Sequence, residues 1–124
     1  MFGQERIKWT DKVKKLAYDL KDGDNLHEVA AYTLSYRQII VENIASIASK
    51  IRTNKAKLDR GFKEAWIRYY QFEYKLNDKQ REKFIDADMS EDFQVQELLE
   101  AHKDFLTATV KTLDNMGFAI KQRM

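Results

Sequence analysis

The sequence predicts an all-α protein, and three observations carry that reading. The 124 residues contain no proline and only four glycines, so few positions can interrupt a helix. Lys, Glu, Ala and Leu, all good helix formers, are abundant. Apolar residues recur at three- and four-residue spacing over long stretches, and no segment alternates as a strand would. The expected architecture is a single helical domain over 1–124. It has a long central helix, flanked by N- and C-terminal helices, and assembles through apolar stripes into a helical homo-oligomer.

The first helix is expected over about 4–21, where Ile7, Val13, Leu16, Ala17 and Leu20 form a loose stripe beside Trp9. Asp22-Gly23-Asp24-Asn25 breaks it: Gly23 suits a helix end, and Asp24 or Asn25 can cap the next. The long helix is expected over about 25–76. Leu26, Thr33, Ile40 and Ile47 occupy one heptad position, Ala30, Ile44, Ile51 and Leu58 the other, and Val41 and Ala48 widen the stripe. Arg37 and Asn54 interrupt these rows, and polar residues in such a seam set register. The pattern fits an ordinary bundle helix and an intermolecular seam equally. Gly61 is the weak point of the helix interior. Residues 77–90 are polar and weakly periodic, with a turn at Asn77-Asp78. Ser90-Glu91-Asp92 reads as the start of the C-terminal assembly helix, about 91–121. Val95, Leu98, Leu99, Phe105, Leu106, Val110, Leu113 and Met116 lie near one face of that helix, and Gly117 interrupts it before Phe118-Ala119-Ile120-Lys121.

Composition narrows the chemistry. Without cysteine there are no disulfides or thiolate metal sites, as in a reducing cytosol. No apolar run approaches the roughly 20 residues of a membrane span, and the opening MFGQERIKW lacks the apolar stretch of a secretory signal, so a cytoplasmic protein without a membrane partner is expected. The two histidines, His27 and His102, have no second ligand at metal spacing, and read as solvated or seam-edge residues. Neither phosphate-cradling glycine motif is present, nor a nucleophile with its base. Asp86, Asp88, Glu91 and Asp92 lack the spacing and glycine of a calcium loop. The expectation is a non-enzyme without cofactor or metal.

Charge distribution says more than the net charge of +2. Residues 50–70 hold seven basic residues (Lys50, Arg52, Lys55, Lys57, Arg60, Lys63, Arg68) against Asp59 and Glu64, a net of +5. Residues 71–104 hold five basic and ten acidic groups, a net of −5. Cations release counterions from phosphates, and aromatic rings stack on unpaired bases at roughly 1–3 kcal/mol each. Phe62, Trp66, Tyr69, Tyr70, Phe72 and Tyr74 lie among or just beyond the cations. Arg52, Lys55, Lys57, Arg60, Lys63 and Arg68 are therefore candidates for phosphate contacts. Trp66, Tyr69 and Tyr70 are candidates either for base stacking or for packing. One copy offers few contacts, so avidity through self-association is expected.

The segment from Glu97 to Lys121, ELLEAHKDFLTATVKTLDNMGFAIK, resembles the C-terminal region of UvsY-type recombination mediators of T-even-like phages, which end in a similar apolar helix and a GFAIK-like block. Here that block is Gly117-Phe118-Ala119-Ile120-Lys121. Lys83 to Asp88 resembles the stretch before that helix, and Leu26 to Tyr36 the family's early helix. The family's basic motif, an L-K-A-R-L-type run followed by paired tyrosines, has its nearest match at Phe62 to Tyr70. Lys63 and the Tyr69-Tyr70 pair correspond to it, Glu64 and Trp66 depart from it, and Arg68 stands in for the second basic position. Met116 replaces the basic residue that often precedes the final block.

The resemblance implies a non-catalytic protein of the infected bacterial cytoplasm that binds single-stranded DNA. It implies a homo-oligomeric ring of roughly six or seven copies. Its implied role is to help a RecA-like, UvsX-type phage recombinase displace the phage single-strand-binding protein and nucleate a filament. Leu98, Leu99, Phe105, Leu106, Val110, Leu113, Phe118 and Ile120 are the expected oligomerisation residues, and the acidic stretch 86–100 is expected to serve assembly or docking of recombination proteins.

Overall fold

The computed structural model describes residues 2–70 and 77–124, and all of its secondary structure among them is helical: α1 (Gly3–Asp22), α2 (Leu26–Tyr70) and α3 (Asp78–Arg123). Residues 71–76, the expected end of the long helix, lie outside the described residues, as do Phe72 and Tyr74.

Local chemistry sets the helix ends. Gly23 closes α1 in the left-handed conformation at φ 78°, which glycine adopts without a Cβ clash, and its N–H donates to the Asp19 carbonyl. Helix α3 starts thirteen residues before the expected position. Asn77 Oδ1 accepts from the Gln80 N–H at 2.8 Å, and Gln80 Oε1 accepts from the Asn77 N–H at 3.1 Å. This reciprocal capping box starts the helix at the expected Asn77-Asp78 turn, inside the polar, weakly periodic stretch. Ser90 is no cap: its hydroxyl donates to the Ala87 carbonyl within the helix. Gly117 does not end α3 either, which runs on to Arg123.

The chain divides into two compact units. The first comprises Met1–Ile47 and Ala101–Met124, so it takes α1, the first half of α2 and the last part of α3. Its buried residues include Trp9, Leu16, Val29, Ile40, Leu106, Leu113 and Ile120. Of the stripe expected on α1, Leu16 is buried and Val13 and Leu20 half-buried, whereas Ile7 and Ala17 face solvent. Arg37, the first interruption of the heptad rows, donates from Nε to Asp114 Oδ1 at 2.6 Å. The Arg123 guanidinium donates to the Leu20 carbonyl, one of the last α1 carbonyls, which have no partner within their own helix.

The second unit, Ala48–Glu100, is an antiparallel pair formed by the later part of α2 and the earlier part of α3. Leu58, Ala65, Ile85 and Met89 form its core, with Trp66 and Tyr69 packed against them. Asn54, the second interruption, donates from Nδ2 to Gln96 Oε1 at 2.8 Å, and Gln96 Nε2 donates on to Glu100 Oε1 at 3.1 Å. Gly61 is not merely a weak point, because Met89 of α3 packs where a side chain would stand.

Candidate nucleic-acid interface

All nine residues nominated for nucleic-acid binding lie on α2 within the second unit, and the register of the α2–α3 pair sorts them onto different flanks. Leu58 and Ala65 mark the face turned to α3. Arg52 and Tyr70 are eighteen residues apart, about five full turns, so they project in the same direction. Lys63, eleven residues beyond Arg52 or about three turns, falls in the same row. All three are exposed, and Asp59 shares the row. Lys57 and Arg68 sit on the opposite flank of the Leu58–Ala65 face, and Arg60 points away from the core between the two.

Three of the six cations meet carboxylates of α3. Lys55 Nζ lies 3.8 Å from Glu100 Oε1, and Lys57 Nζ 3.2 Å from Asp92 Oδ1. Arg68 Nη2 donates to Asp88 Oδ2 at 2.7 Å. Asp88, Asp92 and Glu100, expected to serve assembly or docking, are thus engaged within the chain. Arg52, Arg60 and Lys63 form no ion pair among the described residues.

The aromatic residues separate just as clearly. Trp66 and Tyr69 are half-buried against the core, which gives them a packing role. Tyr69 stacks on Phe84 with ring centroids 5.6 Å apart, and its hydroxyl donates to Asp88 Oδ2 at 2.6 Å. That hydrogen bond to a carboxylate holds the phenol above its ordinary pKa, with burial adding to the effect. Tyr70 is 72% exposed, with the Arg81 guanidinium 5.1 Å from its ring centroid. Phe62 is partly exposed and meets Trp66 edge to face. The most exposed rings of this stretch are therefore Tyr70 and Phe62, and spacing alone did not nominate Phe62 over Trp66.

The residues nominated for oligomerisation also separate. Leu99, Leu106, Leu113 and Ile120 are buried by the chain's own helices, and Phe105 and Val110 are half-buried. Leu98 and Phe118 remain exposed, Phe118 at 65%. Phe118 lines an apolar groove of about 460 Å³ in the first unit, together with Leu34, Leu113, Ile120 and Met124.

His102, read from the sequence as a solvated or seam-edge residue, is instead buried at the helix contacts. Its Nε2–H donates to Glu5 Oε2 at 3.1 Å, and its ring stacks on Phe2 with centroids 4.0 Å apart; its Nδ1 has no partner among the described residues. Burial lowers its pKa, against the opposing pull of the Glu5 carboxylate. No cluster of three or more acidic or histidine side chains among the described residues could hold a metal ion, and no described helix is long and apolar enough to cross a membrane. No protein family, curated protein or solved structure matches the chain.

Proposed function

We propose that the protein is a single-stranded-DNA-binding recombination mediator, acting as a homo-oligomeric ring in the cytoplasm of a phage-infected bacterium. In this reading it helps a UvsX-type recombinase load onto DNA covered by the phage single-strand-binding protein, and has no catalytic activity of its own. The observation that carries the reading is the exposed α2 row of Arg52, Lys63 and Tyr70, which offers two cations without an ion-pair partner among the described residues and a largely exposed ring, with Asp59 between them, along one side of a helix. The resemblance of the Phe62–Tyr70 and Glu97–Lys121 segments to UvsY-type mediators supports the biological setting.

Fluorescence anisotropy with a labelled single-stranded oligonucleotide tests it, read from about 50 to 200 mM salt. Affinity should fall steeply as salt rises. Arg52→Ala with Lys63→Ala should weaken binding, and should reduce the logarithmic salt slope by about 1.4 at 0.7 per phosphate contact. Binding indifferent to salt, or an unchanged slope in the double variant, would remove the α2 row as the interface.

A second reading, a helical adaptor that binds another protein, is favoured by the exposed groove around Leu34 and Phe118. It predicts no salt-sensitive binding of the oligonucleotide, so the same titration separates the two.

A further inference from the structure

The flank between α1 and α2 in the first unit carries a second row of cations with aromatic rings beside it. Lys8, Lys12 and Lys15 fall at positions i, i+4 and i+7 of α1, so their side chains project on one side of the helix. Like charges so spaced disfavour a helix by roughly 0.2–0.5 kcal/mol per pair. No lysine of the row has an ion-pair partner among the described residues: Asp11 and Asp19 are not within ion-pair distance, and Glu5, one turn before Lys8, pairs with His102.

Two of these cations are held in place. Lys8 Nζ and Lys12 Nζ lie 5.5 and 5.2 Å from the ring centroid of Trp9, which is buried, and Lys12 Nζ lies 4.9 Å from that of Tyr36 on α2. Tyr36 meets Tyr32 one turn away at 5.7 Å, and Tyr32 is 47% exposed. The arrangement is a short line of ammonium groups, two of them oriented by aromatic faces, ending beside a tyrosine ring open to solvent. A ligand that matches it carries phosphates at intervals and a planar base able to lie on an exposed ring.

We propose that Lys8, Lys12, Lys15 and Tyr32 form a second contact surface for single-stranded nucleic acid, separate from the α2 row. The proposal rests on the ligand assigned under the proposed function, but on none of the residues used there. Asp19, Asp22, Asp24 and Glu28 gather beside Tyr32 and bound the surface at that end. A phosphate chain then runs from Tyr32 toward the start of α1, away from these carboxylates.

The test compares the parent with four variants in the same anisotropy titration, using a labelled oligothymidylate and a duplex of equal length. Lys8→Ala/Lys12→Ala/Lys15→Ala should reduce the salt slope by about 2, as expected for three lost contacts at 0.7 each, and should weaken binding at least tenfold at low salt. Alanine favours helix, so circular dichroism should show α1 retained. Lys14→Ala/Lys21→Ala removes cations from another side of α1 and should leave the slope within about 0.3 of the parent, well under one contact. Tyr32→Ala should weaken the single strand and spare the duplex.

An unchanged slope in the triple variant, alongside salt-sensitive binding by the parent, overturns this surface and leaves the α2 row standing. Equal losses per charge in the two lysine variants overturn it too, because bulk charge would then suffice. A parent that binds no oligonucleotide overturns the proposed function itself. Loss in the triple variant with full binding by Arg52→Ala/Lys63→Ala supports the α1 surface and removes the α2 row instead.

Discussion

Gly61 offers the sharpest test of how the second unit packs. A methyl group built on it would stand 2.9 Å from Met89 Cε and 3.2 Å from Met89 Sδ, closer than such atoms normally approach. Two effects oppose each other in Gly61→Ala. Alanine is better than glycine in a helix interior by about 1 kcal/mol. Overpacking a filled core costs about 1–3 kcal/mol, and the obstacle here is the end of a flexible thioether, which places the cost near 1 kcal/mol. The single variant should therefore be close to neutral. In a Met89→Ala background the obstacle is gone, and the same substitution should stabilise by about 1 kcal/mol. The measurement is a double-mutant cycle by urea denaturation followed by circular dichroism, with a coupling of about 1 kcal/mol expected. A coupling below about 0.3 kcal/mol would mean that Met89 does not occupy the space above Gly61, and would refute the α2–α3 register described here.

Two further outcomes follow from polar groups at the helix contacts. Asn54→Leu should destabilise by about 1–3 kcal/mol, since it leaves buried Gln96 without its α2 partner, while Asn54→Leu/Gln96→Leu should recover most of the loss; thermal denaturation of both variants checks this. His102 has a folded pKa lowered by burial, so the unfolded chain takes up its proton first as pH falls. Its contribution to stability is fully present above about 6.5 and declines below that value toward the folded pKa, with a limiting slope of about 1.4 kcal/mol per pH unit. His102→Phe should flatten that part of a stability–pH curve measured by denaturation at a series of pH values, and an unchanged curve would assign the dependence to another group.

The helix faces were legible because they obey a rule that needs no knowledge of the partner. Thr33, Ile40 and Ile47, then Ile51 and Leu58, follow the heptad rows and are all buried. The same seven-residue step links Leu99, Leu106, Leu113 and Ile120 on α3, while Leu98, one position off that row, faces solvent. The start of α3 was hidden because its signal is the local exchange of hydrogen bonds between Asn77 and Gln80, in a segment whose apolar pattern is weak. The fate of the basic stretch was hidden for a different reason. Whether Lys57 or Arg68 stands free depends on which α3 residue the antiparallel register brings opposite, and a one-helix pattern holds no information about Asp92 or Asp88. His102 falls on the second row of the same seam, with Val95, Thr109 and Met116, so spacing places it inward; its polar ring masked that, and its contacts with Phe2 and Glu5 depend on how α1 docks.

The α3 carboxylates bear on the strength of the proposed interface. Lys55, Lys57 and Arg68 keep side chains that are largely exposed, and ion pairs of that kind are worth about 0–1 kcal/mol. A phosphate can replace such a partner, but the freed carboxylate stays nearby and repels the strand, so these three positions contribute less than Arg52 and Lys63. On the proposed reading, one α2 row would supply about two to three phosphate contacts per copy, for a logarithmic slope of roughly −2. The α1 row would supply a slope of about −2 of its own. Neither value gives tight binding by a single copy at physiological salt, so affinity has to rise with the number of copies on one strand. The slope per bound chain and the dependence of affinity on oligonucleotide length therefore measure separate things: the first counts the cations that touch phosphate, and the second counts the copies that act together.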